Sequence, residues 1–442
     1  MSGSSSALVA ALALASVVLL WISLRLRNRQ RLLADLPTSK AQGVFIGLVE
    51  LSGTAESAAP LRSFLRGATC VHYAYDVQEH WSRTVTESYT DSKGQRRTRT
   101  RHESGWTTVA DGGELQDFYL RDDTGAVLIR PAGAKLEPAV VFDETVSPGD
   151  SLYYSKGPAG AIAHSDHRRR FVERAIRLHA PLYVVGQARE RDDIVAPEIA
   201  ASPGATIFLI STRSEKSVQT GFAVWSWVCW AIGLIAAPAA ALVLASKLSF
   251  DPPPAVTLAA GAFLLAWVVG WVWMAFNSIV SLRARTRQAW SLMEVELKRR
   301  HDLIPNLASA VAALGTHERT TQSALAALRA QLSATPPGAS GPDFAALSAE
   351  VRAVVERYPQ LVAQEGFARL HESLVETEQR IALARAYYND IATFFATRLE
   401  RIPDRWVAAL ARMRPEPLLH AANFERAVVP VDFATDTTAT LR

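Results

Sequence analysis

The sequence predicts an α+β membrane protein with three transmembrane helices, a β-rich N-terminal soluble domain and a C-terminal antiparallel helical bundle of the four-helix type. Three observations support this fold class: three long apolar blocks, short β-branched and aromatic runs in residues 44–210, and a three-and-four spacing of apolar residues after the third block. The chain of 442 residues has room for more than one compact domain.

The first apolar block, residues 7–24, has no Lys or Arg before it and a cluster of arginines directly after it. They are Arg25, Arg27, Arg29 and Arg31. A cleaved signal peptide carries its positive charge first, so residues 1–30 predict an uncleaved anchor with its N-terminus outside. Ala7, Ala11 and Ala15 share one helical face, which favours close approach of another helix, although an alanine-rich helix also gives this spacing by chance.

Two further blocks, residues 222–246 and 255–280, are joined by a short proline-containing segment and predict a transmembrane hairpin. Cations flank the hairpin on its outer sides: Arg213, Lys216, Arg283, Arg285 and Arg287. The positive-inside rule then places both soluble domains, residues 40–215 and 283–420, in the cytoplasm. No Asp, Glu, Lys, Arg or His lies within a span, which weighs against a channel or transporter.

These observations together predict an integral protein of the inner, cytoplasmic membrane. The high Ala and Arg content is compatible with a bacterial source. Two cysteines, Cys70 and Cys229, are too few for a disulfide framework or a cysteine zinc site.

The β-rich domain contains one clear turn signal. Asp123, Thr124 and Gly125 suit a tight turn between two strands, and the second strand would place Val127 and Ile129 on one face.

The domain carries two basic clusters, in a polar insertion and in a later run. We interpret them as possible contacts for anionic lipid, the alternative being solvated loops: Arg96, Arg97, Arg99 and Arg101, then Arg168, Arg169 and Arg170.

Other ligands of this domain are not expected. Nucleic acid is disfavoured because no aromatic side chains alternate with the cations. His164 and His167 have an H-x-x-H spacing but no third ligand, so neither a metal nor a cofactor is predicted.

Four stretches of the β-rich domain, "GLVELSGTAE", "LRSFLRGATCVHYAYDV", "DFYLRDDTGAVLIRPAGA" and "LYVVGQAR", resemble the GIDE domain in order and spacing over residues 45–190. In eukaryotic mitochondrial membrane proteins that domain lies between two spans and is followed by a RING ubiquitin ligase. A RING needs two sets of Cys and His ligands, and this chain has no C-x-x-C. The resemblance therefore does not extend to ligase activity.

After the third block the apolar residues follow a helical seam: Trp290, Met293, Leu297, Ile304, Leu307, Val311 and Leu314, with Arg300 in the remaining position. A second seam runs from Phe344 to Leu361 and a third from Phe367 to Phe395. Long amphipathic helices with short breaks predict an antiparallel, coiled-coil-like bundle, followed by a tail at residues 421–442.

This region resembles the LemA family through "AWSLMEVELKRRHDLIPNLASAV", "HERT", "LVETEQRIALARAYYNDIATF" and "RIPDRWVAAL". Members follow a membrane span with a four-helix bundle, and the family suggests membrane organisation. A fused β-rich domain is a departure from its usual plan. The resemblance implies structural or binding roles for a set of positions: Arg300, Asp302, Pro305, Asn306, His317, Glu318, Glu378, Arg385, Tyr388 and Asn389.

Arg300 occupies a core-facing position, where a guanidinium is costly unless paired. Glu378 or Asp390 would supply the carboxylate if the helices are antiparallel and in register. The pair would then be a structural ion pair, or else part of a ligand site.

No catalytic motif is present, so a non-catalytic role is expected. The leading hypothesis is a membrane-bound scaffold that self-associates through the bundle, contacts membrane lipids and docks an unidentified protein partner. One alternative is a regulatory or sensor subunit that controls a separate enzyme through the GIDE-like domain. Another is a hydrolase using Arg300 and Glu378.

Overall fold

The computed structural model describes two compact units. The described residues are 2–90, 95–191, 193, 196–203, 205, 207–248, 251–313 and 365–419. Unit 1 spans Met1–Ser278 and unit 2 spans Ile279–Arg442. The architecture is mixed α and β, as the sequence predicts.

The described helices differ greatly in length. They are α1 Ser2–Ala34, α2 Ser151–Ser155, α3 Glu215–Leu248, α4 Pro252–Ala313, α5 Glu365–Glu400 and α6 Asp404–Leu410. Three of them contain stretches that are long and apolar enough to cross a membrane, judged by length and composition: Ser6–Ala34, Glu215–Leu248 and Pro252–Arg300. These stretches contain the three apolar blocks of the sequence.

All described strands belong to unit 1. They are β1 Thr38–Ser39, β2 Gly47–Glu56, β3 Leu61–Arg62, β4 Thr69–Thr90, β5 Arg96–Leu115, β6 Phe118–Arg121, β7 Ala126–Ile129, β8 Lys135–Glu137, β9 Ala139–Val146, β10 Ser165–Arg177, β11 Pro181–Glu190, β12 Pro197–Ala200 and β13 Leu209–Ser211. They form two sheets.

The first sheet closes on itself. Strands β2, β6, β7, β12 and β11 pair in that order, and β11 pairs back to β2, so the ring has no open edge between them. Its core includes Val127 and Ile129, on the face that the sequence predicts. The turn between β6 and β7 is also confirmed: the Thr124 and Gly125 amides donate to the Asp122 carboxylate, at 2.7 and 3.0 Å.

The second sheet is antiparallel, and its two longest strands, β4 and β5, extend beyond it. Strand β10 pairs with β4 only as far as Trp81, whereas β5 pairs with β4 up to Thr90. The rest is a two-stranded ribbon, residues 82–90 and 96–104, about 25 Å long at roughly 3.3 Å per residue. The polar insertion therefore consists largely of strand.

Helices α1 and α3 pack in opposite directions through small polar residues. The Ser23 hydroxyl donates to the Ser226 carbonyl at 2.9 Å, the Ser226 hydroxyl donates back to the Ser23 carbonyl at 3.1 Å, and Ser16 donates to Gly233 at 3.1 Å. The face with Ala7, Ala11 and Ala15 is exposed. Among the described residues no helix covers that face, which agrees with the alternative that an alanine-rich helix gives this spacing by chance.

Unit 2 is organised around α4 and α5, which run antiparallel. Many buried residues fall on the predicted seams: Met293, Leu297 and Arg300 on α4, and Thr377, Ile381, Ala384, Tyr388, Ile391 and Phe395 on α5. Trp290 of the predicted seam is exposed, whereas Ala289, Glu296 and Ala392 are buried outside the seams. The predicted helix between Phe344 and Leu361 lies outside the described residues. The structure thus shows two of the predicted bundle helices.

Candidate binding surfaces

The charged residue in the α4 seam is paired as expected. The Arg300 Nη1 atom lies 3.4 Å from Glu378 Oε1 and 3.5 Å from Oε2, so Glu378 supplies the carboxylate. A second ion pair, Arg380 with Glu296 at 2.9 Å, lies near it. Both link α4 to α5 and fix their register. The structure thus brings together the predicted pair, and the choice between a structural ion pair and a ligand site stays a prediction.

Two other predicted residues hold the C-terminal segment, defined here as residues 413–419. Asn389 donates from Nδ2 to the Leu419 carbonyl at 2.9 Å and accepts from the Leu419 amide at 2.9 Å. The Tyr388 hydroxyl donates to the Pro417 carbonyl at 2.8 Å. The segment has no helix or strand structure. Unit 2 therefore holds this peptide through backbone hydrogen bonds, and the Met413 and Leu419 side chains pack against its apolar cluster.

A cavity of about 340 Å³ lies where this segment crosses α4 and α5. Its lining is Thr286, Arg287, Trp290, Tyr388, Glu416 and Pro417. The Trp290 and Tyr388 rings meet edge to face, with their centroids 5.4 Å apart. The lining combines aromatic surface with one cation and one carboxylate, a composition suited to binding and without a nucleophile–base pair.

The remaining LemA-like positions are spread along the helices. Asp302 is exposed on α4, and Arg385 is half-buried on α5. Pro305 and Asn306 lie within α4, which continues to Ala313. His317 and Glu318 lie outside the described residues.

The first basic cluster lies on the ribbon. Arg96, Arg97, Arg99 and Arg101 all belong to strand β5. Arg99 and Arg101 share a face with Glu103 because alternate residues of a strand point the same way. Across the ribbon, Arg99 is paired in register with Glu87, and Arg83 binds Glu103 at 2.7 Å. The exposed cations of this cluster thus lie on the ribbon, where Glu87 and Glu103 partly neutralise their charge.

The second basic cluster is split by strand alternation. Arg168 is exposed, and Arg170 forms a bidentate ion pair with Asp143, with N–O distances of 2.9 and 2.7 Å. Arg169 is fully buried: it lies 3.0 Å from Glu79 and donates to the carbonyls of Tyr153, Pro158 and Gly160. Lipid contact is therefore the wrong expectation for Arg169, since its charge is satisfied inside the protein.

A buried acid that was not predicted from the sequence lies where the β-rich domain meets the apolar helices. Glu50 on β2 accepts hydrogen bonds from Tyr183 and Thr38, both at 2.8 Å. Burial raises the pKa of Glu50 to about 7, and the negative charge of nearby Glu215, the first residue of α3, contributes. Tyr183 packs in one cluster with Leu33 of α1 and Val218 of α3. An ordinary-looking glutamate in a strand carried no signal of this burial.

A second feature missed from sequence is a cavity of about 220 Å³ in unit 1. Its lining includes Arg29 of α1, Lys135 of β8 and Phe222 of α3, with Phe208 and Ile207. Lys135 Nζ lies 5.8 Å from the Phe222 ring centroid and 2.6 Å from Glu137. No group of three His, Cys, Asp or Glu residues that could hold a metal ion occurs among the residues that the structure describes.

Comparison with known families separates the chain into two matched regions. Residues 289–433 match the LemA family, and residues 86–244 match the GIDE family, which is described as E3 ubiquitin ligase. The first match begins in α4, and the second runs from β4 into α3. No curated protein and no solved structure matches the chain significantly.

Proposed function

We propose that this chain, which joins a GIDE-like region to a LemA-like region, is a non-catalytic scaffold that organises membrane-associated complexes by self-association. Helices α1, α3 and α4 have the length and apolar composition for its anchor in a bacterial cytoplasmic membrane. Two cysteines cannot supply the ligands of a RING, so ligase activity is not part of the proposal.

The observation that carries the proposal is the docking of the C-terminal segment on unit 2. Asn389 satisfies both backbone groups of Leu419, and Tyr388 satisfies the carbonyl of Pro417. A segment held in this way in one copy can make the same contacts with another copy, and such exchange is a low-cost route to an oligomer. Several weak contacts between copies in one membrane then add up to a stable assembly.

The test is the size of the full chain in detergent, measured by light scattering over a range of protein concentrations. We expect a defined oligomer that Asn389→Ala dissociates, because the variant loses both hydrogen bonds to Leu419. Asp390→Asn is the matched control on the same helix and should keep the wild-type size. A wild-type chain that stays monomeric at all concentrations would overturn the scaffold function.

A second function, a regulatory or sensor subunit, is favoured by Glu50. A carboxyl group with a pKa of about 7 changes its protonation near neutral pH, and it lies where the β-rich domain contacts α1 and α3. Such a group would transmit a change in the GIDE-like region to the helices. Co-purification of one stoichiometric enzyme with a monomeric chain would favour this function over the scaffold.

A further inference from the structure

Helix α6 exposes an apolar stripe although it is anchored on its other side. On α6, Trp406 and Leu410 lie four residues apart and are 67% and 86% exposed, and Ile402, in the turn that precedes the helix, is 63% exposed. On the opposite side, Val407 and Ala408 are buried, and Arg398 binds the buried Asp404 at 2.9 Å. The orientation of α6 is therefore fixed, and the stripe faces away from unit 2.

The stripe lies at the end of unit 2 where α4 leaves its apolar stretch. Three contacts set the register of α4 and α5: Arg300 with Glu378, Glu296 with Arg380, and Trp290 with Tyr388. Extending this register places Leu399 level with Ile279, and both belong to one apolar cluster. Ala408 of α6 belongs to the same cluster. Ile279 lies at the end of the apolar block 255–280, so α6 is next to the membrane surface if α4 spans it.

The surroundings of the stripe carry a surplus of positive charge, although the exposed Glu400 precedes Arg401. Four exposed arginines flank it: Arg401, Arg405, Arg412 and Arg414. The one acidic residue between positions 401 and 414, Asp404, is buried against Arg398. An apolar stripe with a tryptophan, bordered by cations, is the composition of helices that lie in the interface of an anionic membrane.

We infer that α6 is a membrane-surface helix: Trp406 and Leu410, with Ile402 in the turn before the helix, enter the lipid interface, and the flanking arginines contact anionic headgroups. This rests on the membrane insertion of α4 proposed above. It ties the C-terminal end of α5 to the bilayer, so unit 2 has a second attachment besides α4. Continuity with an apolar helix and the surplus of positive charge favour lipid over a second copy of the chain as the occupant.

The test uses the full chain in lipid nanodiscs, with Cys70 and Cys229 replaced by alanine. One sample carries Leu410→Cys and the other carries Glu372→Cys, each labelled with an environment-sensitive fluorophore. Glu372 is an exposed residue of α5 and lies about 40 Å from the C-terminal end of that helix, next to α6, at roughly 1.5 Å per residue. Discs contain phosphatidylcholine alone or with phosphatidylglycerol.

At position 410 we expect a blue-shifted emission that brominated lipid quenches and iodide does not, with a larger shift in phosphatidylglycerol. Position 372 should be quenched by iodide alone. Arg401→Gln with Arg405→Gln should remove the extra shift in anionic discs. Iodide quenching at position 410 in both lipids would overturn the inference, as would protection seen only in discs that hold two copies.

Failure of the underlying insertion is measured separately. A chain that alkaline carbonate extracts from membranes is not inserted, which overturns the anchor together with the inference. A chain that resists extraction but keeps residue 410 in water overturns the inference alone.

Discussion

The buried arginine in strand β10 shows how one residue can organise a loop. Arg169 pairs with Glu79 and donates to three carbonyls of the segment between β9 and β10. Its guanidinium also lies over the Tyr153 ring, 4.0 Å from the centroid. A planar group with five donors can satisfy all these acceptors at once, which a lysine cannot do.

Glu79→Gln should therefore destabilise unit 1 by about 3 kcal/mol, because it leaves the buried Arg169 charge without its carboxylate. The matched control is Asp143→Asn, which removes the partner of the exposed neighbour Arg170 and should change little. Thermal unfolding of the full chain in detergent measures both. Equal midpoints for the two variants would contradict the assigned role of Arg169.

The pH dependence of unit 1 should come largely from Glu50. Its pKa is raised in the fold to about 7 from 4.5, so stability is fully present below about pH 4.5 and is lost as the pH rises through 7. Glu50→Gln, which stays neutral, should gain up to roughly 3 kcal/mol relative to the wild type over that interval. Denaturant midpoints of both chains, measured across this range, give the difference. A difference that stays constant with pH would show that the pKa of Glu50 is the same in the folded and unfolded states.

For single residues, some side-chain partners could be predicted from the sequence and others could not, for a physical reason. Arg300 and Glu378 follow from helical phase, because a helix fixes which residues share a face. Arg169 looked like part of a solvated run, since its burial depends on Glu79, which is distant in sequence. The same holds for Glu50, whose burial depends on the packing of Tyr183 against α1 and α3.

Among the elements, the apolar helices pack closely at Gly233. A Cβ atom placed there would lie 3.0 Å from the Phe263 ring of α4 and 3.4 Å from Leu19 of α1. Glycine at this position lets α1, α3 and α4 approach one another, as small residues do in membrane helices.

Gly233→Val should therefore separate these helices and lower the stability by about 1–3 kcal/mol, a cost typical of overpacking. Gly261→Val is the control, because a Cβ at Gly261 meets no atom within 4 Å and the change in helix propensity is the same. The measurement is the thermal midpoint of the full chain in detergent. A loss of equal size in both variants would point to helix propensity and not to packing.

The ribbon shows where pattern-based prediction of elements reaches its limit. Strands of a ribbon that has no buried face lack the apolar alternation that predicts a strand, and residues 96–101 read as a polar insertion. The threonines at positions 98 and 100 were the available signal, since β-branched residues favour strands. The strong seams of α4 and α5, by contrast, were predictable because burial imposes a period on the sequence.

For the whole molecule, composition predicted three apolar helices and two kinds of soluble region, and the family matches agree with that order. The surface of α6 was not predicted. Its apolar residues have the spacing of a buried face, and a helix of this length gives no sequence signal that distinguishes a face turned to the core from one turned to lipid.

Membrane sidedness is predicted for the molecule as a whole. Charge flanking the spans places Asp251, between α3 and α4, outside the cell, and places Glu87 on the ribbon and Glu372 on α5 inside. Each is replaced by cysteine in turn in a chain without Cys70 and Cys229. An impermeant maleimide added to intact cells should label position 251 alone, and positions 87 and 372 should react after permeabilisation. Labelling of position 87 in intact cells would mean that the β-rich domain lies outside, because α1 and α3 would then cross in the opposite sense.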